Sequence, residues 1–135
     1  MKPAPAMQFR SDLHLLLWKP RGLLNEMKVN EVLAFIAEVE AVSEANELRF
    51  IDATALTKVK LSFRYVFHVA LYRRFTRKGR PTLKSAVWVT DKALAHYFKL
   101  HALLTDQSSL RVRIFDTREA AAKWLKVPVE MLETN

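Results

Sequence analysis

Three short apolar runs, Leu48-Arg49-Phe50-Ile51-Asp52, Ser85-Ala86-Val87-Trp88-Val89-Thr90-Asp91 and Leu110-Arg111-Val112-Arg113-Ile114-Phe115-Asp116, each close on an aspartate, and a helix-length stretch follows each of them. Runs this short, rich in β-branched and aromatic residues and bounded by polar breakers, read as strands. Strands that alternate with helices imply a mostly parallel sheet with helices packed on it. The expected architecture is therefore a single α/β domain with a central sheet of 4–5 strands and about four main helices. At 135 residues and 50% apolar content, a chain can bury roughly two-thirds of its unfolded surface and needs no covalent staple.

The first segment, residues 8–18, sets Leu13, Leu15 and Leu17 against Asp12, His14 and Leu16 before Pro20 and Gly22 break it. It reads as one bent strand or a short hairpin. Asn25 then caps a helix on which Val29, Val32, Leu33, Ile36 and Val39 form one buried stripe. Glu26, Glu31, Glu38, Glu40 and Glu44 surround that stripe, giving an acidic surface helix. A second helix runs over residues 62–77 and stops at Gly79, with Pro81 beyond. Asp91 caps a third through Leu104, and Asp116-Thr117-Arg118-Glu119 opens a fourth as a capping box. The domain is expected over residues 8–128, with a flexible start at 1–7 and a frayed tail at 129–135. Neither a long apolar leader nor a bilayer-length greasy stretch is evident, which points to a cytoplasmic protein without a transmembrane segment.

Many chemistries are excluded by single residue types. No cysteine is present, which removes disulfides, thiol catalysis and cysteine metal sites. Two glycines, Gly22 and Gly79, cannot build a phosphate-cradling loop. His14, His68, His96 and His101 form no His-Glu-x-x-His string, and no G-x-S-x-G elbow occurs. Asp52, Asp91 and Asp116 share the carboxyl edge of the sheet, where ligands of parallel α/β proteins bind; their plainer reading is two caps and a loop opening. Thr54 stands where a dehalogenase-type site needs its second aspartate. No catalytic residue, cofactor or metal site is expected.

The charge is uneven. Net +8 resolves into −2 over residues 1–52 (six basic, eight acidic), +9 over 53–90 and +1 over 91–135 (seven basic, six acidic). The middle third holds no acid at all, and Lys58, Lys60, Arg73, Arg74, Arg77, Lys78 and Arg80 form a candidate anion patch within it. Cations at a helix C-terminus also offset the macrodipole, which is the plain alternative for the four around residues 73–78.

The second helix is apolar on two sides. Phe63, Val66, Phe67 and Ala70 form one stripe, expected to face the sheet, while Tyr65, Val69 and Tyr72, with His68 and Phe75 beside them, form another. Leu100 and Leu103 on the third helix lie off its core face as well. These seven residues from Tyr65 to Leu103 are the candidate surface for a partner or a nonpolar ligand.

The Leu15-Leu16-Leu17 strand leading to Gly22, the Phe50-Ile51-Asp52-Ala53-Thr54 strand end and the closing Arg111 to Asp116 strand before Glu119-Ala120-Ala121-Ala122-Lys123-Trp124-Leu125 resemble the SpoIIAA-like family, part of the wider STAS group. The resemblance spans about residues 8–127. It implies a compact βα superhelix without known catalytic activity. Related antagonists of anti-sigma factors carry a phosphorylatable serine at the start of the second helix; Ser62 falls there, without the flanking aspartate and glycine. Architectural kinship with CRAL-TRIO lipid carriers implies a nonpolar ligand as an alternative.

The leading expectation is thus a regulatory or binding module acting through protein contacts, including contact with its own copy, around the second helix. A carrier of a fatty-acid-like or other nonpolar molecule, its headgroup held by Arg73 or Arg77, ranks second. An anionic lipid or nucleic acid at the basic patch ranks third, with no nucleic-acid motif behind it.

Overall fold

The three inner strands of the main sheet are buried on both faces, so their apolar residues run nearly continuously rather than alternating. Leu15–Trp18 (β2) shows this most simply: Leu15 and Leu17 pack to one side, Leu16 and Trp18 to the other. The computed structural model describes residues 7–42, 47–106 and 108–133; Glu44 and the first six residues lie outside that set.

Met7–Arg10 (β1) pairs antiparallel with β2, closing a hairpin in which His14 takes a left-handed backbone. The initial segment is therefore two strands. Glu47–Asp52 (β4), Leu83–Trp88 (β6) and Leu110–Phe115 (β7) add in parallel, giving the order β1-β2-β4-β6-β7. Gly22–Asn25 (β3) and Leu56–Lys60 (β5) pair with each other in a separate parallel ribbon that the periodicity did not reveal.

Glu26–Val42 (α1), Phe63–Thr76 (α2) and Lys92–Leu104 (α3) lie on one side of the sheet. Arg118–Leu125 (α4) and a 3-10 turn at Val129–Leu132 cover the other, over Leu15, Leu17, Phe50 and Ala86. The segment expected as a frayed tail is thus anchored through residue 132: Leu132 is fully buried, and Arg10 Nε donates to the Met131 carbonyl at 3.1 Å. The caps follow the sequence at three helices. Asn25 Oδ1 accepts the Lys28 N–H, Ser62 Oγ that of Tyr65 and Asp91 Oδ1 that of Leu94, each at 3.0 Å. At α4 the cap is Thr117, one residue after the expected Asp116.

Candidate functional site

The inward face of α2 starts apolar and ends charged. Val66, Ala70, Arg73 and Arg77 recur at helical spacing and are all buried, so one stripe carries both hydrocarbon and two guanidiniums into the space over the sheet. On α1 the buried stripe of Val32, Ile36 and Val39 likewise ends at Glu40. On β4, the side facing these helices is occupied by Arg49 and Ile51. Three elements therefore deliver charge to one end of an apolar layer.

Glu40 is the hub. Its Oε1 accepts from Arg73 Nη2 at 2.6 Å and from Arg49 Nη2 at 3.3 Å, while Arg77 Nη1 lies 3.4 Å from Oε2. Arg77 also donates to the Pro81 carbonyl and Arg80 to that of Glu40. Burial pushes the Glu40 carboxyl up, yet the Arg73 hydrogen bond and the charges of Arg73, Arg49 and Arg77 hold it below its ordinary value. Burial and the charge of Arg73 bring Arg49 down to about 10, against the opposing pull of Glu40 and Glu47. Three guanidiniums thus meet two carboxylates, and Nε of both Arg49 and Arg77 is buried without a hydrogen-bond partner.

Beside this cluster lies a cavity of about 130 Å³. Its walls are apolar: Trp18 and Val87 from the sheet, Val32 from α1, Val66 from α2 and Phe98 from α3 are among them. Arg49, Arg73, Ser85 and His101 supply its polar rim. His101 sits neutral at physiological pH, because burial first, and then the charges of Arg73 and Arg49, push its imidazole down to about 4. A shallow groove between α1 and α2 runs over Asn30, Ala34, Ala37, His68 and Tyr72; Leu33 and Val69 line both groove and cavity and so stand between them.

The expected site residues divide. Arg73 and Arg77 are 4% and 2% exposed, which removes them from the expected surface anion patch; their charges are spent on Glu40, itself buried rather than part of an acidic surface. Lys58, Lys60, Arg74, Lys78 and Arg80 remain exposed. Phe63 and Phe67, expected against the sheet, point outward at 64% and 44% exposure, because the ion cluster sets which stripe of α2 is buried. Tyr65 is half-buried and donates to Asn30 Oδ1 at 2.6 Å, tying α2 to α1. Val69 and Leu100 are half-buried, while His68, Tyr72, Phe75 and Leu103 are exposed. Ser62 is exposed and engaged as the cap. Asp52 accepts from the backbone and hydroxyl of Thr54 at 3.0 and 2.6 Å, with Lys19 at 3.9 Å, which closes its loop. Among the described residues no group of His, Asp and Glu gathers as metal ligands.

A crystal structure of an uncharacterized protein from the DUF3478 family, with a SpoIIAA-like fold, from Shewanella loihica PV-4, superposes with a TM-score of 0.58 over 88% of this chain and 90% of that one. The fold is SpoIIAA-like. Identity between the two is 14%, so the SpoIIAA-like likeness concerns the backbone. No protein-family model matches the sequence, and no curated protein matches it. Among the described residues, no helix of this SpoIIAA-like fold is long and apolar enough to cross a membrane.

Arg49, Glu40 and His101 were not singled out as site residues from the sequence. Two of them left a signal: Glu40 continues the apolar stripe of α1 one position past Val39, and Arg49 interrupts a run that is apolar on either side.

Proposed function

We propose that the domain binds a small apolar molecule carrying one carboxylate, with the apolar part in the α1–α2–α3 cavity and the carboxylate against Arg49. The observation that carries this reading is the surplus guanidinium charge at the rim of an otherwise apolar cavity, with Arg49 Nε unpartnered. A buried cation without full compensation is costly, and an incoming anion both pairs it and supplies the missing acceptor. The volume, about 130 Å³, approaches that of cavities that admit one benzene ring. That favours an aryl or short branched acid over a long fatty acyl chain. The groove between α1 and α2 is the proposed approach, with Leu33 and Val69 as the side chains that move.

This reading stands above the protein-contact reading expected from the sequence, since the residues named for that surface do not share one face. Titration calorimetry with 3-phenylpropionate and its neutral analogue 3-phenylpropanol tests it. The acid is expected to bind roughly tenfold tighter than the alcohol, as suits one charge-assisted contact. In Val69→Phe, which fills the cavity mouth, binding of both is expected to vanish with the fold intact. Equal binding of the two compounds, or binding unaffected by Val69→Phe, contradicts it.

A further inference from the structure

The outward side of α2 carries a stripe of large apolar residues that the described residues leave largely exposed. Phe63, Phe67, Leu71 and Phe75 recur every four residues and are 64%, 44%, 46% and 78% exposed. The ring of Phe63 stacks on Tyr97 of α3 at 5.7 Å, so this side of α2 continues onto α3, where Leu103 is 72% exposed. Single exposed apolar residues need no explanation, but a contiguous run of them on one surface does.

The charges interleaved with that stripe are of one sign. Neither α2 nor α3 contains an Asp or Glu; Arg64, Arg74, Lys92 and Lys99 are their exposed cations, and the exposed Lys78 follows the end of α2. In sequence, acids flank α3: Asp91, which is engaged in capping it, and the exposed Asp106 after its C-terminal end. Arg74 is held by the carbonyls of Asp106 at 2.8 Å and Leu104 at 3.4 Å. An apolar stripe with a mostly basic rim complements a surface that is greasy beneath and negative on top.

We infer that the α2–α3 face docks on a membrane surface containing anionic lipid, with Phe75 and Leu103 entering the headgroup region and Lys78 and Lys99 meeting lipid phosphates. Helices that lie in the interface combine such an apolar face with Lys and Arg beside it. A second copy of the chain fits less well, because a two-fold contact through this face would set two predominantly basic surfaces against each other. The inference goes beyond the proposed carboxylate site and shares only Tyr97 with its lining, so either can fail without the other.

Co-sedimentation with vesicles tests it. The full chain is expected to bind phosphatidylcholine vesicles in which about a third of the lipid is phosphatidylserine, and to bind pure phosphatidylcholine at least about tenfold more weakly, with the difference shrinking as salt rises. Phe75→Ser with Leu103→Ser, both highly exposed, is expected to cut binding about tenfold or more without altering thermal stability. Lys78→Glu with Lys99→Glu is expected to lose the preference for the anionic lipid. Failure of the folded protein to sediment with either vesicle overturns the inference. So does equal binding to both compositions, or a concentration-dependent dimer that Phe75→Ser dissociates.

Discussion

Arg73 Nη2 donates to Glu40 Oε1 at 2.6 Å across the space between α2 and α1, and both side chains are buried. That contact sets the rotation of α2. With Arg73 and Arg77 directed at Glu40, the stripe shared by Val66 and Ala70 faces inward and the phenylalanines are left outside. Removing the carboxylate takes away the ion-pair partner shared by Arg49, Arg73 and Arg77. Glu40→Gln is expected to destabilise the fold by about 3–5 kcal/mol in denaturant titration, the range for breaking a buried pair from one side. A loss under about 1 kcal/mol would show that the cluster does not hold α1 and α2 together.

Arg49 behaves differently, because its contact with Glu40, at 3.3 Å, is longer than that of Arg73 and its Nε is buried without a hydrogen-bond partner. Its replacement by methionine keeps much of the volume and relieves the repulsion from Arg73 that helps lower its affinity for protons. Arg49→Met is expected to leave stability within about 1–2 kcal/mol of the natural protein or to raise it, as replacing buried charge by hydrocarbon often does. Calorimetric preference for 3-phenylpropionate over the alcohol is expected to disappear in the same variant. Retained preference would assign the carboxylate to another residue.

His101 makes stability depend on pH in a defined window. Its folded value of about 4 lies below the unfolded one near 6.5, so the folded state resists a proton that the unfolded chain accepts. Its contribution is complete above the unfolded value and declines as pH falls from about 6.5 toward 4, by as much as about 3 kcal/mol. Glu40, whose value is also depressed, adds a second loss that begins only in the carboxylate range. Denaturant melts between pH 7 and 5 should therefore show a slope that His101→Asn flattens. An unchanged slope would place the imidazole in a solvated environment.

Ser62 provides a cap that an acidic residue can also provide. Ser62→Ala is expected to cost about 1 kcal/mol in stability, whereas Ser62→Asp should stay within a few tenths of the natural protein, since aspartate accepts the same N–H and complements the helix dipole. A large loss in Ser62→Asp, read by thermal melting, would mean that negative charge at the start of α2 disturbs the fold.

The legible parts of the fold were those fixed locally. Asn25, Ser62 and Asp91 announce helix starts because a short polar side chain before a helical stripe has one good use there. The apolar run at Leu110–Phe115 is a strand with the same bounds in sequence and structure. The ribbon of β3 and β5 was hidden because its strands have only each other as partners, and neither shows the sustained apolar run of the main sheet. The site was hidden for a different reason. Charge counted along a sequence carries no direction, so Arg73 and Arg77 read as members of a surface patch, whereas the fold sets them beside Glu40 and Arg49. Phe63 and Phe67 read inward from the sequence and lie outward in the fold for the same reason, since apolarity alone does not reveal that an ion cluster will choose the buried stripe.

The most direct test of the carboxylate site is an isotope-edited nuclear Overhauser experiment on methyl-labelled protein with unlabelled 3-phenylpropionate. The aryl protons should contact the methyl groups of Val66 and Val87 inside the cavity, and these contacts should be lost in Val69→Phe. Contacts confined to Leu71 or Leu103 on the outer face, with Val66 and Val87 silent, would contradict the account.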